Sequence, residues 1–316
     1  MNLFTSKTTS DWGERIKMNY SNIETFLAIA ESKSLSKAAE KLFLSQSTIS
    51  YRLNALEQDL NMKLVERDKG KSVITLTVKG NEFVSIAQMW KSLYKNTNEW
   101  KMQRSIQKLR IASVDSLNSC IFCELYKKLL NKDSPLLLNI GTHWTISIHE
   151  FIESQEADIG FVLWEVPSKN IVSKPLFIER MVLISSIAVN YPDKIHPSDL
   201  DLENEIYFYC GPNFRIWHDY WWDSNDKERS SVDTIALLKL FMRVAEHWSI
   251  VPISVARTLK KHLPIRISEI IDPPPGRVCY QITNKYQLPR SKKSLEIFEG
   301  YLNDFIHDDQ FISLIK

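Results

Sequence analysis

Between Asn22 and Leu60 the apolar residues fall into three short runs at helical spacing, separated by gaps that leave room only for tight turns. Ile23, Phe26, Leu27, Ile29 and Ala30 share one side of a first helix. Ser34 is a good N-cap for a second, which carries Leu35, Ala38, Ala39 and Leu42 and whose small alanines permit close approach of another helix. A third begins near Ser45, with Ile49, Leu53, Leu56 and Leu60 spaced to bury one face. Three short helices connected in this way predict a helix-turn-helix.

The segment after Leu60 extends that pattern. A basic, Gly-containing turn at Asp68-Lys69-Gly70-Lys71 precedes the β-branched run Val73, Ile74, Thr75, which reads as a two-stranded wing. From Val78 to about Gln107 there is no Pro and one Gly, with Phe83, Ile86, Ala87, Trp90, Leu93 and Tyr94 at helical spacing. A helix of this kind is not stable alone in water, so its apolar stripe is expected to pack on a partner chain, which predicts a dimer. From Leu109 onward short apolar runs alternate with helical segments, the signature of βαβ units on a parallel sheet, arranged as two subdomains around a cleft. A 44% hydrophobic content supplies a core for each domain.

Charge separates the same two halves. Up to Gln107 there are 16 Lys and Arg against 11 Asp and Glu, and beyond it 24 against 27, so the front carries +5 and the rear −3. A basic front joined to a mildly acidic rear suits a polyanion-binding module attached to a domain that does not touch the polyanion. No run of about 18 apolar residues occurs, and the first residues lack the apolar stretch of a signal peptide, so a cytoplasmic protein away from membranes is expected. The polar segment 1–17 reads as a disordered arm, with Met18 as a candidate functional start.

The stretch from Asn22 to Gly80 closely resembles the DNA-binding domain of LysR-type transcriptional regulators. The resemblance rests on Phe26 to Glu31, Ser34-Leu35-Ser36, Ala38-Ala39, Leu42, Ser45 to Ser50, Leu56-Glu57, Leu64 to Arg67, Thr75 to Thr77 and Gly80. The rear resembles the family's effector domain more loosely, through LRIAS, ADIGFV, MVLISS and Ile250-Val251-Pro252. It implies a winged helix-turn-helix at 18–77 and a linker helix at 78–107. An α/β effector domain then occupies 108–316, built from two Rossmann-like, periplasmic-binding-protein-like subdomains. Subdomain I takes about 108–178 and 255–316, and subdomain II about 179–254. The implied function is a DNA-binding transcriptional regulator controlled by a small-molecule effector. Its implied partners are a double-stranded DNA operator, RNA polymerase and further copies of itself, as a homodimer or homotetramer.

The recognition helix is expected to expose Ser45, Gln46, Ser47, Ser50, Tyr51 and Asn54, with Ser36 nearby; Gln can pair bidentately with adenine, and short hydroxyls reach bases or phosphates. Arg52, Arg67, Lys69 and Lys71 are assigned to the phosphate backbone, with an ion pair to Glu66 or Asp68 as the alternative for Arg67. The family pattern places Arg directly after the recognition-helix Ser, whereas Tyr51 and Arg52 follow Ser50 here, which leaves base preference at that contact open.

For the effector, Ser116 and Thr142 follow strands and are expected at helix starts, where free amides attract anions; they match family positions that bind carboxylates, and plain N-capping is the alternative. Trp144, Trp164, Phe214, Trp217 and Trp248 can stack on an aromatic effector, grip a cation, or form core, with Trp164, Phe214 and Trp248 best placed by the resemblance. Bulky Ala245-Glu246-His247-Trp248 replaces the family's Gly-rich turn, predicting an altered or filled pocket.

Other chemistries have less support. Cys120 and Cys123 have CxxC spacing but sit in an apolar helix, so buried hydrophobes are the stronger reading and a redox-sensing or solute-binding module the alternative. His143 and His149, six apart, do not make a helical metal site, and no cofactor is expected. Neither GxSxG, HExxH, GxGxxG nor a P-loop string occurs, so an enzyme is not expected.

Overall fold

Each of the three short helices starts at a side chain that substitutes for a missing backbone partner. In the computed structural model, Asn19 caps α1 (Tyr20–Ser32), Ser34 caps α2 (Leu35–Leu42) and Ser45 caps α3 (Gln46–Leu60), each side chain accepting a bond from an amide in the first turn. All three helices end on a left-handed residue that is not glycine: Lys33, Phe43 and Asn61. The structure describes residues 19–67, 74–101, 107–130, 134–222, 230–244, 246–308 and 313–314. The arm at 1–17, Met18, Lys69, Lys71 and Ala245 lie outside the described residues.

The chain divides into two compact units, 1–103 and 104–316. In the first, Ile23, Phe26, Ile49, Leu53, Leu56 and Leu64 are fully buried in one core. Strands β1 (Val65–Arg67) and β2 (Ile74–Leu76) pair antiparallel as the wing, in the register Val65 to Leu76. Helix α4 (Val78–Lys101) closes this unit. It spends part of its apolar stripe on its own neighbour α1: Phe83 packs 5.3 Å from Phe26, and Tyr94 stacks 4.2 Å from Tyr20. Ile86 and Leu93, seven residues apart, remain exposed at 47% and 51%. The expectation that the whole stripe seeks a partner chain is therefore corrected to this narrower face.

Three signature residues explain themselves here. Glu57 is buried, and its Oε1 accepts from the amides of Leu64 and Val65 at 2.9 and 3.3 Å, holding the approach to the wing. Thr77 Oγ1 donates to the Lys63 carbonyl and accepts from the Gly80 amide. A Cβ on Gly80 would lie 2.0 Å from the Leu64 carbonyl oxygen, so only glycine permits this close approach.

The second unit runs β3 (Gln107–Ser113), α5 (Asp115–Cys120), α6 (Phe122–Leu129), β4 (Leu136–Thr142), α7 (Thr145–Glu153), β5 (Ile159–Val162), β6 (Ile171–Glu179), β7 (Met181–Ser186), β8 (Lys194–Ile195) and β9 (Ile206–Phe208). It continues with α8 (Pro212–Trp221), β10 (Ser230–Val232), α9 (Ile235–Phe241), β11 (Trp248–Pro252), α10 (Ile253–Lys260), β12 (Ile265–Ile270), β13 (Arg277–Asn284), α11 (Pro289–Asp308) and β14 (Ser313–Leu314). The linker helix was expected to reach Gln107, but Gln107 opens β3 and pairs with Leu136.

One sheet has the order β14-β6-β13-β5-β3-β4 and another β11-β7-β12-β8, while β9 and β10 pair in parallel. Both larger sheets are mixed, not all-parallel: β3 is parallel to β4 and β5, but β13 runs antiparallel to β5 and β6, and β7 antiparallel to β11 and β12. Each sheet buries its own core, one around Phe122, Phe161 and Phe298 and one around Leu183, Val251 and Trp248. The chain leaves the first sheet after Glu179 and returns at Arg277. The expected return at about 255 is too early, because β12 hydrogen-bonds to β7 and belongs to the second subdomain.

Candidate DNA interface and effector cleft

Helix α3 separates its faces cleanly. Ile49, Leu53 and Leu56 point into the core, while Gln46, Ser47, Tyr51 and Asn54 are exposed and Ser50 and Arg52 half-buried. At 3.6 residues per turn, Gln46, Ser47, Ser50, Tyr51 and Asn54 fall within an arc of roughly 140°. Ser45 is the N-cap itself, its hydroxyl engaged by the Thr48 amide at 3.1 Å and by the Ser47 and Thr48 hydroxyls at 2.8 Å. Exposed Ser36 donates to Gln46 Oε1 at 3.3 Å. Arg67 pairs through its backbone with Ile74 at the end of β1.

In the second unit a cavity of about 300 Å³ opens between the two subdomains. Ser116, Thr142 and Trp164 line it, together with Asp115, His143, Trp144, Tyr209 and Asp233. The second subdomain contributes Tyr209 and Asp233; the first contributes the other six. Thr142 Oγ1 accepts from Asn118 Nδ2 at 2.9 Å, and Asn118 is in turn fixed by the Tyr126 hydroxyl. Ser116 Oγ accepts from Arg277 Nη1 at 2.7 Å, and Arg277 Nη2 donates to Glu179 Oε2 at 2.6 Å. Glu179 and Arg277 are the last and first residues of the strands that leave and re-enter subdomain I, and both side chains are almost completely buried. This hinge pair was not foreseen from the sequence, although charged residues inside apolar strands were the signal.

Phe214 and Trp248 are not cleft residues. Phe214 is 3% exposed and sits 5.8 Å from the Tyr207 ring; Trp248 is fully buried against Trp222, with its indole N–H donating to the Asp201 carbonyl at 2.8 Å. The bulky residue after the expected Gly-rich turn thus fills the subdomain II core instead of walling the cleft. Trp217 also packs there, and Trp144 remains 55% exposed at the cleft.

Burial pushes the Cys120 thiol up to about 12, the opposite of what a redox-active thiolate needs. His149 is buried, hydrogen-bonded to the Thr145 carbonyl and accepting from the Val166 amide, a structural role. Among the described residues no cluster suits a metal ion, and no helix is long and apolar enough to cross a membrane.

Residues 20–81 match the family of bacterial regulatory helix-turn-helix proteins of the LysR type, and residues 103–294 match the LysR substrate binding domain. The HTH-type transcriptional regulator CitR of Bacillus subtilis is 25% identical over 300 residues, covering 90% of this chain and 99% of CitR. In fold, the chain is similar to a full-length OxyR from Pseudomonas aeruginosa bearing a cysteine-to-aspartate substitution, with TM-score 0.62, 18% identity and coverage of 95% and 99% of the two chains. It is likewise similar to full-length CbnR complexed with its target DNA, with TM-score 0.61, 20% identity and coverage of 91% and 100%. With both domains matched in order over most of its length, the chain belongs to the LysR family: it is a DNA-binding transcriptional regulator with a substrate-binding effector domain, not an enzyme.

Proposed function

We propose that α3 is the helix that enters the major groove of an operator, with Gln46, Ser47, Ser50, Tyr51 and Asn54 facing base edges and Ser36 and Ser45 setting the geometry of the helix start. The observation that carries this reading is the exposed polar arc of α3, set against the buried Ile49, Leu53 and Leu56, with Gln46 Oε1 accepting from Ser36. Arg52, Arg67, Lys69 and Lys71 supply phosphate contacts. On this reading residues 18–77 form the DNA-binding domain and the α/β unit from about 108 the effector domain, working in the cytoplasm.

The exposed Ile86 and Leu93 of α4 form the dimer seam, so that two copies of α3 meet a pseudo-palindromic site. Pairing between effector domains extends the dimer to a tetramer. An effector held at Ser116, Thr142 and Trp164 favours one arrangement of the assembly and thereby alters its contact with RNA polymerase, which requires different affinities for the two states.

Fluorescence anisotropy on an enriched site, titrated with salt, tests the assignment of α3. Gln46→Ala/Ser50→Ala is expected to lower the ratio of specific to non-specific affinity by about tenfold or more while leaving the salt slope unchanged. An unchanged ratio would remove α3 from the role of base reader.

A further inference from the structure

The cleft is built for the opposite charge from the one that its helix starts alone suggest. Two carboxylates, Asp115 and Asp233, line it, and among the described lining residues there is neither Lys nor Arg. Arg277, the cation beneath Ser116, is 5% exposed and tied to Glu179. The anion-attracting end of α9 is already occupied from within, since the Ile235 amide donates to Asp115 Oδ2 at 2.7 Å, across from one subdomain to the other. A carboxylate of the protein thus stands at the start of α9 where an acidic ligand would otherwise bind, and a second acid beside it would be repelled in a partly enclosed space whose one basic lining side chain among the described residues is His143.

The aromatic lining points the same way. Trp164 and Tyr209 meet edge to face, with ring centroids 5.9 Å apart and planes at 82°, giving the cavity two perpendicular aromatic walls. Trp144 adds a third, exposed ring. Perpendicular π faces beside carboxylates are how proteins hold alkylammonium groups, because each face carries negative electrostatic potential and tolerates the loss of water around a diffuse cation. Ser116 and Thr142 each accept one hydrogen bond from the protein and keep a hydroxyl proton to give. They suit a neutral oxygen acceptor elsewhere on the same ligand.

We propose that the effector recognised by this cleft is a small organic cation, its ammonium group held by Trp164, Tyr209 and Asp233 and a neutral oxygen of its skeleton facing Ser116 and Thr142. This rests on the reading of the cleft as the effector site. At about 300 Å³ the cavity falls at the small end of ligand sites, in keeping with a compact amine.

The test uses the full-length protein labelled with 5-fluorotryptophan, the ¹⁹F resonances of Trp144 and Trp164 being assigned with single Trp→Phe variants. Probes are matched pairs on one skeleton: phenethylammonium against 3-phenylpropionate, and 4-hydroxybutylammonium against 5-hydroxypentanoate. The ammonium member of a pair is expected to shift both resonances saturably, at a concentration at least about tenfold below that of its carboxylate partner. Asp233→Asn, an exposed change that leaves the thermal transition in place, is expected to weaken that binding by about threefold at low salt. Saturable shifts caused by the carboxylates at equal or lower concentration would overturn the charge assignment while leaving the cleft as the effector site, and so would an unaltered ammonium affinity in Asp233→Asn. If no probe moves either resonance, the reading of the cleft falls, and the proposal with it.

Discussion

Glu57 shows how much of a family signature is structural. Its carboxylate takes the amides of Leu64 and Val65, both of which are buried, so Glu57→Ala leaves two donors without partners. The expected cost is about 2–3 kcal/mol of stability, read from denaturant unfolding, with no loss of base contacts in the folded fraction. The cap at Ser34 was legible because the bond it makes is local and needs only the sequence around it, whereas Ser45, expected on the exposed face, proves to be the N-cap of α3. Phe214 and Trp248 were not. A large aromatic side chain fits a ligand wall and a core equally well, and only the tertiary packing of the second sheet decides between them. Trp248→Ala is expected to destabilise the chain by about 3–5 kcal/mol through the cavity it opens. Thermal unfolding measures this, and a variant of wild-type stability would return Trp248 to the cleft surface.

Among the elements, α4 divides its apolar stripe between α1 and an exposed seam at Ile86 and Leu93. Ile86→Glu/Leu93→Glu is therefore expected to yield a folded monomer in sedimentation experiments at micromolar concentration, because charges on the seam are desolvated only on pairing. A dimer of unchanged affinity would place the contact elsewhere. The helical period of α4 was visible in the sequence, but its partner was not, since periodicity identifies an apolar face without naming what covers it.

A second contact between elements ties the middle of β3 to α11 through Asp158. Asp158 bonds to Arg110 through Nε and Nη2 at 3.0 and 2.7 Å and accepts from the Ser291 hydroxyl at 2.7 Å. Burial opposes ionisation of Asp158, but the Arg110 hydrogen bonds and charge outweigh it and hold the carboxyl below its usual value of 3.8. A depressed folded value means that this contribution is fully present above the unfolded value and is lost as pH falls through the folded one. Stability should thus decline steeply below about pH 4. Asp158→Asn should flatten that decline and cost about 3 kcal/mol at neutral pH by removing the negative charge that faces the buried Arg110 guanidinium. Unfolding curves between pH 2.5 and 7 check both.

For the whole molecule, a basic, helical front and a mildly acidic α/β rear were legible from charge and periodicity, and the chain divides into compact units at 1–103 and 104–316. The path of the rear half was less so. Mixed strand directions arise because β13 runs back between β5 and β6, and β12 remains with the second sheet until the return at Arg277. Such pairings are long-range, and runs of apolar residues carry no record of strand direction. The cleft inherits this limit: Asp115 and Asp233 come from segments more than a hundred residues apart, so their meeting on one cavity could not be read from either alone.

Whether the chain reads DNA sequence is tested most directly by genome-wide capture of DNA bound to the tagged full-length protein in its native cell. A small set of discrete sites is expected, sharing an inverted repeat whose half-sites lie about one helical turn apart. Binding spread evenly over the genome, with no shared sequence, would mean that α3 and its partner copy do not select a site.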